Sequence, residues 1–102
     1  MPPEPLPELT RKEYLAMNLL AGASKPLYGL QMVELSGGEL KRGTVYVTLN
    51  RLEDKRYVTS EKEDEQPGIA QPRRLYKATG LGVKVYKAVA ASRASLKKAF
   101  SS

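Results

Sequence analysis

Neither cysteine nor histidine occurs in this chain of 102 residues. Disulfides, thiolate nucleophiles, imidazole bases and Cys/His zinc sites are therefore excluded. Tryptophan is absent as well, and phenylalanine occurs once. No apolar run approaches the ~20 residues that a helix needs to cross a bilayer, so no membrane partner is expected. The start, Met1-Pro2-Pro3-Glu4-Pro5, has neither a charged nor an apolar leader-like region, and a cytoplasmic location is the expectation. Acid is missing from one end of the chain. Residues 1–66 hold nine Lys/Arg against eleven Asp/Glu, a balance of −2, whereas residues 67–102 hold eight Lys/Arg and no acid, +8. A wholly basic C-terminal third suits an anionic partner, nucleic acid or an anionic membrane surface.

Catalysis finds no foothold. There is no Ser/His, Cys/His or metal-binding constellation and no phosphate-cradling glycine loop, so neither an enzyme nor a cofactor nor a resident metal is expected. Glu61, Glu63, Asp64 and Glu65 lack the spacing of a calcium loop and read as a solvated hairpin tip. With 41% hydrophobic and 27% charged residues, what remains is a single globular domain with one modest core.

The most informative stretch is residues 43–55. Val45, Leu49 and Leu52 stand at i, i+4 and i+7 and share one side of a helix. Thr44, Val47, Asn50 and Arg51 point largely the other way, with Tyr46 and Thr48 on the flanks. Lys41 and Arg42 precede the helix. A polar helix face that donates and accepts hydrogen bonds, beside basic residues, suits a DNA groove. An ordinary amphipathic surface helix has the same period.

The elements around it sharpen the choice. Residues 1–9 hold four prolines and read as an extended arm. Thr10 and Glu13 form a T-x-x-E capping box, Leu9 and Tyr14 are placed for a hydrophobic staple, and Gly22 is a stop. That predicts a first helix over 11–21 with Leu15, Met17, Leu19 and Leu20 as its apolar positions. After Lys25-Pro26 a second short helix is expected from Leu27 to Ser36, ended by Gly37-Gly38. Its apolar residues, Tyr28, Met32 and Leu35 on one stripe and Leu30 and Val33 on another, imply packing from more than one direction. Residues 57–63 and 73–79 read as two strands of a hairpin around Gln66-Pro67-Gly68. Helix, helix, helix, hairpin is the order of a winged helix-turn-helix. Arg73 and Arg74 then lie at the base of the wing, set to meet phosphate or a minor groove.

A long helix closes the chain over 81–100, with Thr79 as its N-cap and Gly80 and Gly82 weakening its first turn. Leu81, Val85, Val89, Ser92, Leu96 and Phe100 form one continuous stripe. Its own domain, a second copy and a lipid surface could each cover that stripe. A domain this small has little core left for a helix about 30 Å long, so a subunit interface is favoured. Ser92 in the stripe, the bordering Ala residues and the lack of Trp disfavour lipid.

The expected fold class is mainly α with a small β-hairpin: an arm over 1–9, a winged helix-turn-helix over 10–79 and a dimerisation helix over 80–102. The expected partners are double-stranded DNA and a second copy of the chain. The DNA-facing residues are Lys41, Arg42, Thr44, Thr48, Asn50, Arg51, Arg73 and Arg74. Asn50 is suited to adenine, and Arg51 to guanine or to phosphate. The alternative is a winged helix that docks protein and no DNA, a reading favoured by the acidic hairpin tip.

Three segments resemble the PadR-like family of transcriptional regulators. Leu27-Tyr28-Gly29 is similar to the family's opening of helix two. Gly43-Thr44-Val45-Tyr46, continuing through Leu49 to Arg51-Leu52-Glu53, is similar to its recognition-helix pattern G-[ST]-[LV]-Y-x-x-L-x-R-L-E. Pro72-Arg73-Arg74-Leu75-Tyr76-Lys77-Ala78-Thr79, followed by Gly82, is similar to its wing strand and helix start. The resemblance spans roughly residues 11–88. It implies a dimeric winged-helix protein, usually a repressor, and places Tyr46 at a position that commonly touches DNA. The single C-terminal helix is similar to the small subgroup, which implies dimerisation through that helix and a central pocket for a small hydrophobic effector. The chain departs from that pattern in having no Trp to stack on such a ligand.

Overall fold

The computed structural model describes residues 8–63 and 73–100, with side chains described as far as Ala94. The expected arm's residues 1–7, the hairpin turn at Gln66-Pro67-Gly68, the acidic Asp64 and Glu65, and the side chains of Leu96 and Phe100 lie outside the described residues. In chain order the elements are α1 (Arg11–Gly22), β1 (Leu27–Tyr28), α2 (Gly29–Leu35), α3 (Val45–Asp54), β2 (Val58–Lys62), β3 (Arg74–Ala78) and α4 (Gly80–Phe100). Three helices and a small antiparallel sheet form a winged helix, and α4 leaves from the end of the wing. Among the described residues no helix is long and apolar enough to cross a membrane.

The capping box forms. Thr10 accepts from the Glu13 backbone N–H at 3.1 Å, and Glu13 accepts from the Thr10 N–H at 3.0 Å. Glu13 also does more than a cap requires. It is buried, and its second oxygen takes a 2.8 Å bond from Lys55 Nζ at the end of α3. One carboxylate thus ties the start of α1 to the end of α3. Burial alone would raise its pKa, but the Lys55 bond and charge and the Thr10 bonds outweigh it and hold Glu13 below its ordinary value.

The core is drawn from all four helices and from both strands of the hairpin. Ala16, Met17 and Leu20 of α1, Met32 of α2, Val45, Leu49 and Leu52 of α3, Val58 of β2, Tyr76 of β3 and Val85 of α4 are all buried in it. Leu15 and Leu19 of α1 are only half-buried. In α2 the expected stripe narrows to Met32, and Leu30 and Leu35 stay exposed, because seven residues make too few turns to cover two sides. After α2, Gly37 and Gly38 take positive φ, +67° and +86°, and reverse the chain. Ser36 Oγ then accepts from the Leu40 N–H at 2.9 Å, and Leu40 seats in the core ahead of α3.

Two expectations need correction. The segment from Leu27 does not begin as helix: Leu27 and Tyr28 pair with Tyr76 and Leu75 and form a third strand on the open edge of β3. The sheet order is β1-β3-β2. A two-residue strand has no period of its own and exists only because β3 has an edge to satisfy. The second correction concerns the α4 stripe. Val85 is 8% exposed and Val89 is half-buried against the domain's own core, so the front of the stripe docks in cis; Leu81, at 51%, and Ser92 stay exposed. Tyr86 stacks on Tyr14 with 5.4 Å between ring centroids, and the Arg93 guanidinium lies 3.8 Å over the Tyr14 ring. Gly82 permits this approach. A Cβ there would collide with the Tyr57 carbonyl, which already accepts from the Thr79 N–H at 3.0 Å. Thr79 caps α4 as expected, its hydroxyl accepting from the Gly82 N–H at 2.9 Å.

Gly82→Ala should therefore lower unfolding stability by about 1–3 kcal/mol in a denaturant titration, because the obstacle is backbone. Glu13→Gln should lower it by about 1.5 kcal/mol at neutral pH. With its folded pKa depressed, Glu13 contributes fully above its unfolded value near 4.5, and the contribution is lost as pH falls through the lower folded value. The stability gap between wild type and variant should close over that acid window. A gap constant with pH would contradict the Glu13–Lys55 assignment.

Candidate nucleic-acid interface

Burial of Val45, Leu49 and Leu52 sets the rotation of α3 and turns the opposite side outward. Thr44, Asn50 and Arg51 are exposed, Tyr46 is 44% exposed and Val47 is 50% exposed. Lys41 and Arg42 are exposed in the turn that leads into α3, where the Val45 N–H bonds back to the Lys41 carbonyl at 2.8 Å. Thr48 departs from expectation. It is 6% exposed, and its hydroxyl donates to the Thr44 carbonyl at 3.3 Å. At one turn from Val45 and Leu52 it falls on the buried side, and its hydroxyl is satisfied within the helix.

Tyr46 lies against the start of α2. A Cβ on Gly29 would come within 2.7 Å of the Tyr46 ring, so only glycine leaves the ring in place. Residues from two of the sequence motifs, Leu27-Tyr28-Gly29 and Gly43 to Tyr46, meet at this point. Between the α2 start, Tyr46 and the returning wing strand runs an open groove of about 550 Å³, lined by Tyr28, Gln31, Tyr46, Arg73, Arg74 and Tyr76 among others.

The wing arginines are both exposed, and each is held. The Arg73 guanidinium sits 4.1 Å over the Tyr28 ring, and its Nε donates to Glu63 at 3.3 Å. Tyr28 donates its hydroxyl to the other Glu63 oxygen at 2.7 Å. The three side chains fasten the wing to the start of α2. That bond lifts the Tyr28 phenol above its ordinary value, and the same bond, with Arg73, lowers Glu63. Arg74 donates to Ser60 Oγ at 3.1 Å, and Ser60 donates to Glu53 of α3 at 2.6 Å. Sequence reasoning placed Arg73 and Arg74 on the wing but missed Tyr28, Glu53, Ser60 and Glu63, whose roles arise only once the sheet brings them together.

The residues that form this surface coincide with a family pattern. The model of the transcriptional regulator PadR-like family matches residues 17–88. The chain belongs to the PadR-like family. Solved structures agree. A PadR-like transcription factor from Bacteroides fragilis is 28% identical, with a TM-score of 0.73 over 87% of this chain and 88% of that one. A PadR family regulator from Eggerthella lenta is 28% identical, with a TM-score of 0.71 over 87% of this chain and 80% of that one. The PcaV transcriptional regulator from Streptomyces coelicolor, solved with its natural ligand, is 25% identical, with a TM-score of 0.74 over 91% of this chain; the match spans 61% of the PcaV chain. No curated protein matches the chain. As a PadR-like chain it is a transcription regulator by family, and the three solved structures named above are transcription regulators too.

The wing fastening has its own signature. In Glu63→Gln the Tyr28 phenol should titrate closer to its ordinary value of 10.0, because the raised value rests first on the bond to the carboxylate. Tyrosine ring shifts followed by NMR against pH report this directly. Identical Tyr28 titrations in the two proteins would show that the bond does not persist in solution.

Proposed function

We propose that this PadR-like chain is a homodimeric, sequence-specific DNA-binding regulator, acting as a repressor on a pseudo-palindromic operator. The observation that carries the reading is the outward face of α3, exposed and polar around Val47, with basic side chains before it and on the wing beside it. In this reading the outward face of α3, from its start to Arg51, enters the major groove. Thr44, Tyr46, Asn50 and Arg51 face bases or the nearest phosphates, while Lys41, Arg42, Arg73 and Arg74 bind the backbone irrespective of sequence. Arg73 exchanges Glu63 for a phosphate as the wing seats. Glu63 is thereby an internal partner, which weakens the acidic tip as an argument for a protein-docking wing.

Dimerisation falls to the parts of α4 on either side of its docked residues. Val85 and Val89 are committed to the domain, so the second copy meets Leu81, Ser92, Leu96 and Phe100. The helix is 21 residues long, enough for both tasks in succession. A small effector is proposed on the same footing: PcaV was solved with its natural ligand, and the dimer contact is where such a molecule would act.

Sedimentation of the purified protein, alone and with a duplex it has selected from a random library, tests the reading at ~50 and ~200 mM salt. A dimer is expected, with duplex binding that falls steeply between the two salts. Thr48→Val should bind as wild type does, because the side chain is buried and its hydroxyl bonds within the helix. Asn50→Ala should lose ~1–3 kcal/mol at one base position per half-site. A monomer that retains no duplex at the lower salt would overturn both the dimer and the groove assignment.

A further inference from the structure

Val47 has no role so far, and its position is unusual for its chemistry. At about 100° per residue it points roughly opposite the mean direction of Val45, Leu49 and Leu52, further from the core than Thr44, Tyr46, Asn50 or Arg51. It is the most outward side chain of the N-terminal half of α3, and it is 50% exposed. Its counterpart two turns on is Asp54, an acid that a phosphate-lined groove would repel, so the part of the helix up to Arg51, which carries Val47, is the part suited to DNA.

A valine at the tip of a reading face cannot read a hydrogen-bond pattern. Only one base edge in the major groove offers an apolar group in its place, the C5-methyl of thymine. The polar neighbours of Val47 can bond to adjacent base edges, and Lys41 and Arg42 can hold the flanking backbone. That arrangement would exclude water from a methyl contact at its centre.

We propose that Val47 is a specificity-determining residue that selects a thymine in each half-site by packing on its 5-methyl group. The inference rests on the groove placement of α3 proposed above. It adds a contact that depends on one methyl group and not on charge, so it is insensitive to salt and separable from every phosphate contact.

The test uses the full-length protein and the duplex it selects from a random library. Each thymine of the half-site is replaced in turn by deoxyuridine, which removes the methyl and leaves every hydrogen-bonding group. Wild type should lose about fourfold in affinity at one thymine per half-site and little at the others, the loss expected for one buried methyl. Val47→Ser should bind the thymine duplex about as weakly as wild type binds the uridine duplex, and it should not distinguish the two. Its circular dichroism and melting should match wild type, since the side chain is outside the core. Wild-type indifference to every uridine, a selected half-site without thymine, or a Val47→Ser protein that still senses the missing methyl would each overturn the assignment. Failure to retain any duplex at low salt would instead overturn the underlying groove placement, so the two failures are distinct.

Discussion

Burial of Val45, Leu49 and Leu52 on one side of α3 is the constraint from which the rest of the surface follows. Each contributes about 1.5–3 kcal/mol when removed from water, and together they fix the rotation of a ten-residue helix. That rotation decides which side chains are offered to solvent. It turns Thr48 inward and Tyr46, Val47, Asn50 and Arg51 outward. The other elements serve to keep α3 in that attitude. Met17 and Leu20 of α1 share the core with it, Leu40 is buried ahead of its entry, and Lys55 locks its exit to Glu13. Gly29 allows Tyr46 to close against α2, so the angle between the two helices is set by contact and not by the turn alone.

Charge is arranged with the same economy. The basic excess of the chain lies in its C-terminal third, but the local pattern at the wing is one of held cations. Arg73 rests on Tyr28 and Glu63, and Arg74 reaches Ser60, which in turn bonds Glu53. Surface pairs of this kind contribute little to stability, typically ~0.2–1 kcal/mol. Their effect is on geometry: a wing tied to the α2 start and to α3 presents its arginines at a fixed distance from the outward helix face. Preorganised donors lose less entropy on binding than free ones.

Much of this was legible in the sequence, for identifiable reasons. The α3 period is written in three strong apolar residues, and caps such as Thr10, Glu13 and Thr79 depend on neighbours three positions away. What was not legible depends on residues distant in sequence. The strand at Leu27–Tyr28 exists only against β3, from Tyr76 back to Leu75. Thr48 looked polar and therefore outward, yet a threonine hydroxyl can satisfy itself on the preceding turn and leave its methyl for the core. The α4 stripe was correctly apolar, but a stripe does not name its partner. Gly82 decided that, by letting the helix lie close enough for Val85 and Val89 to join the core. Glu63 read as part of a solvated tip because its partners, Tyr28 and Arg73, are 35 and 10 residues away.

The central claim is that the outward side of α3 and the wing together form the DNA-binding surface. NMR titration of the isotope-labelled protein with its selected duplex tests this most directly, because each side chain reports for itself. The Tyr46 ring, Val47 methyl, Asn50 amide and Arg73 and Arg74 Nε–H signals should shift together, while the buried Thr48 methyl and the Leu49 and Leu52 methyls change little. Shifts confined to α4 or to the exposed side of α1, with Val47 and Asn50 unmoved, would contradict it.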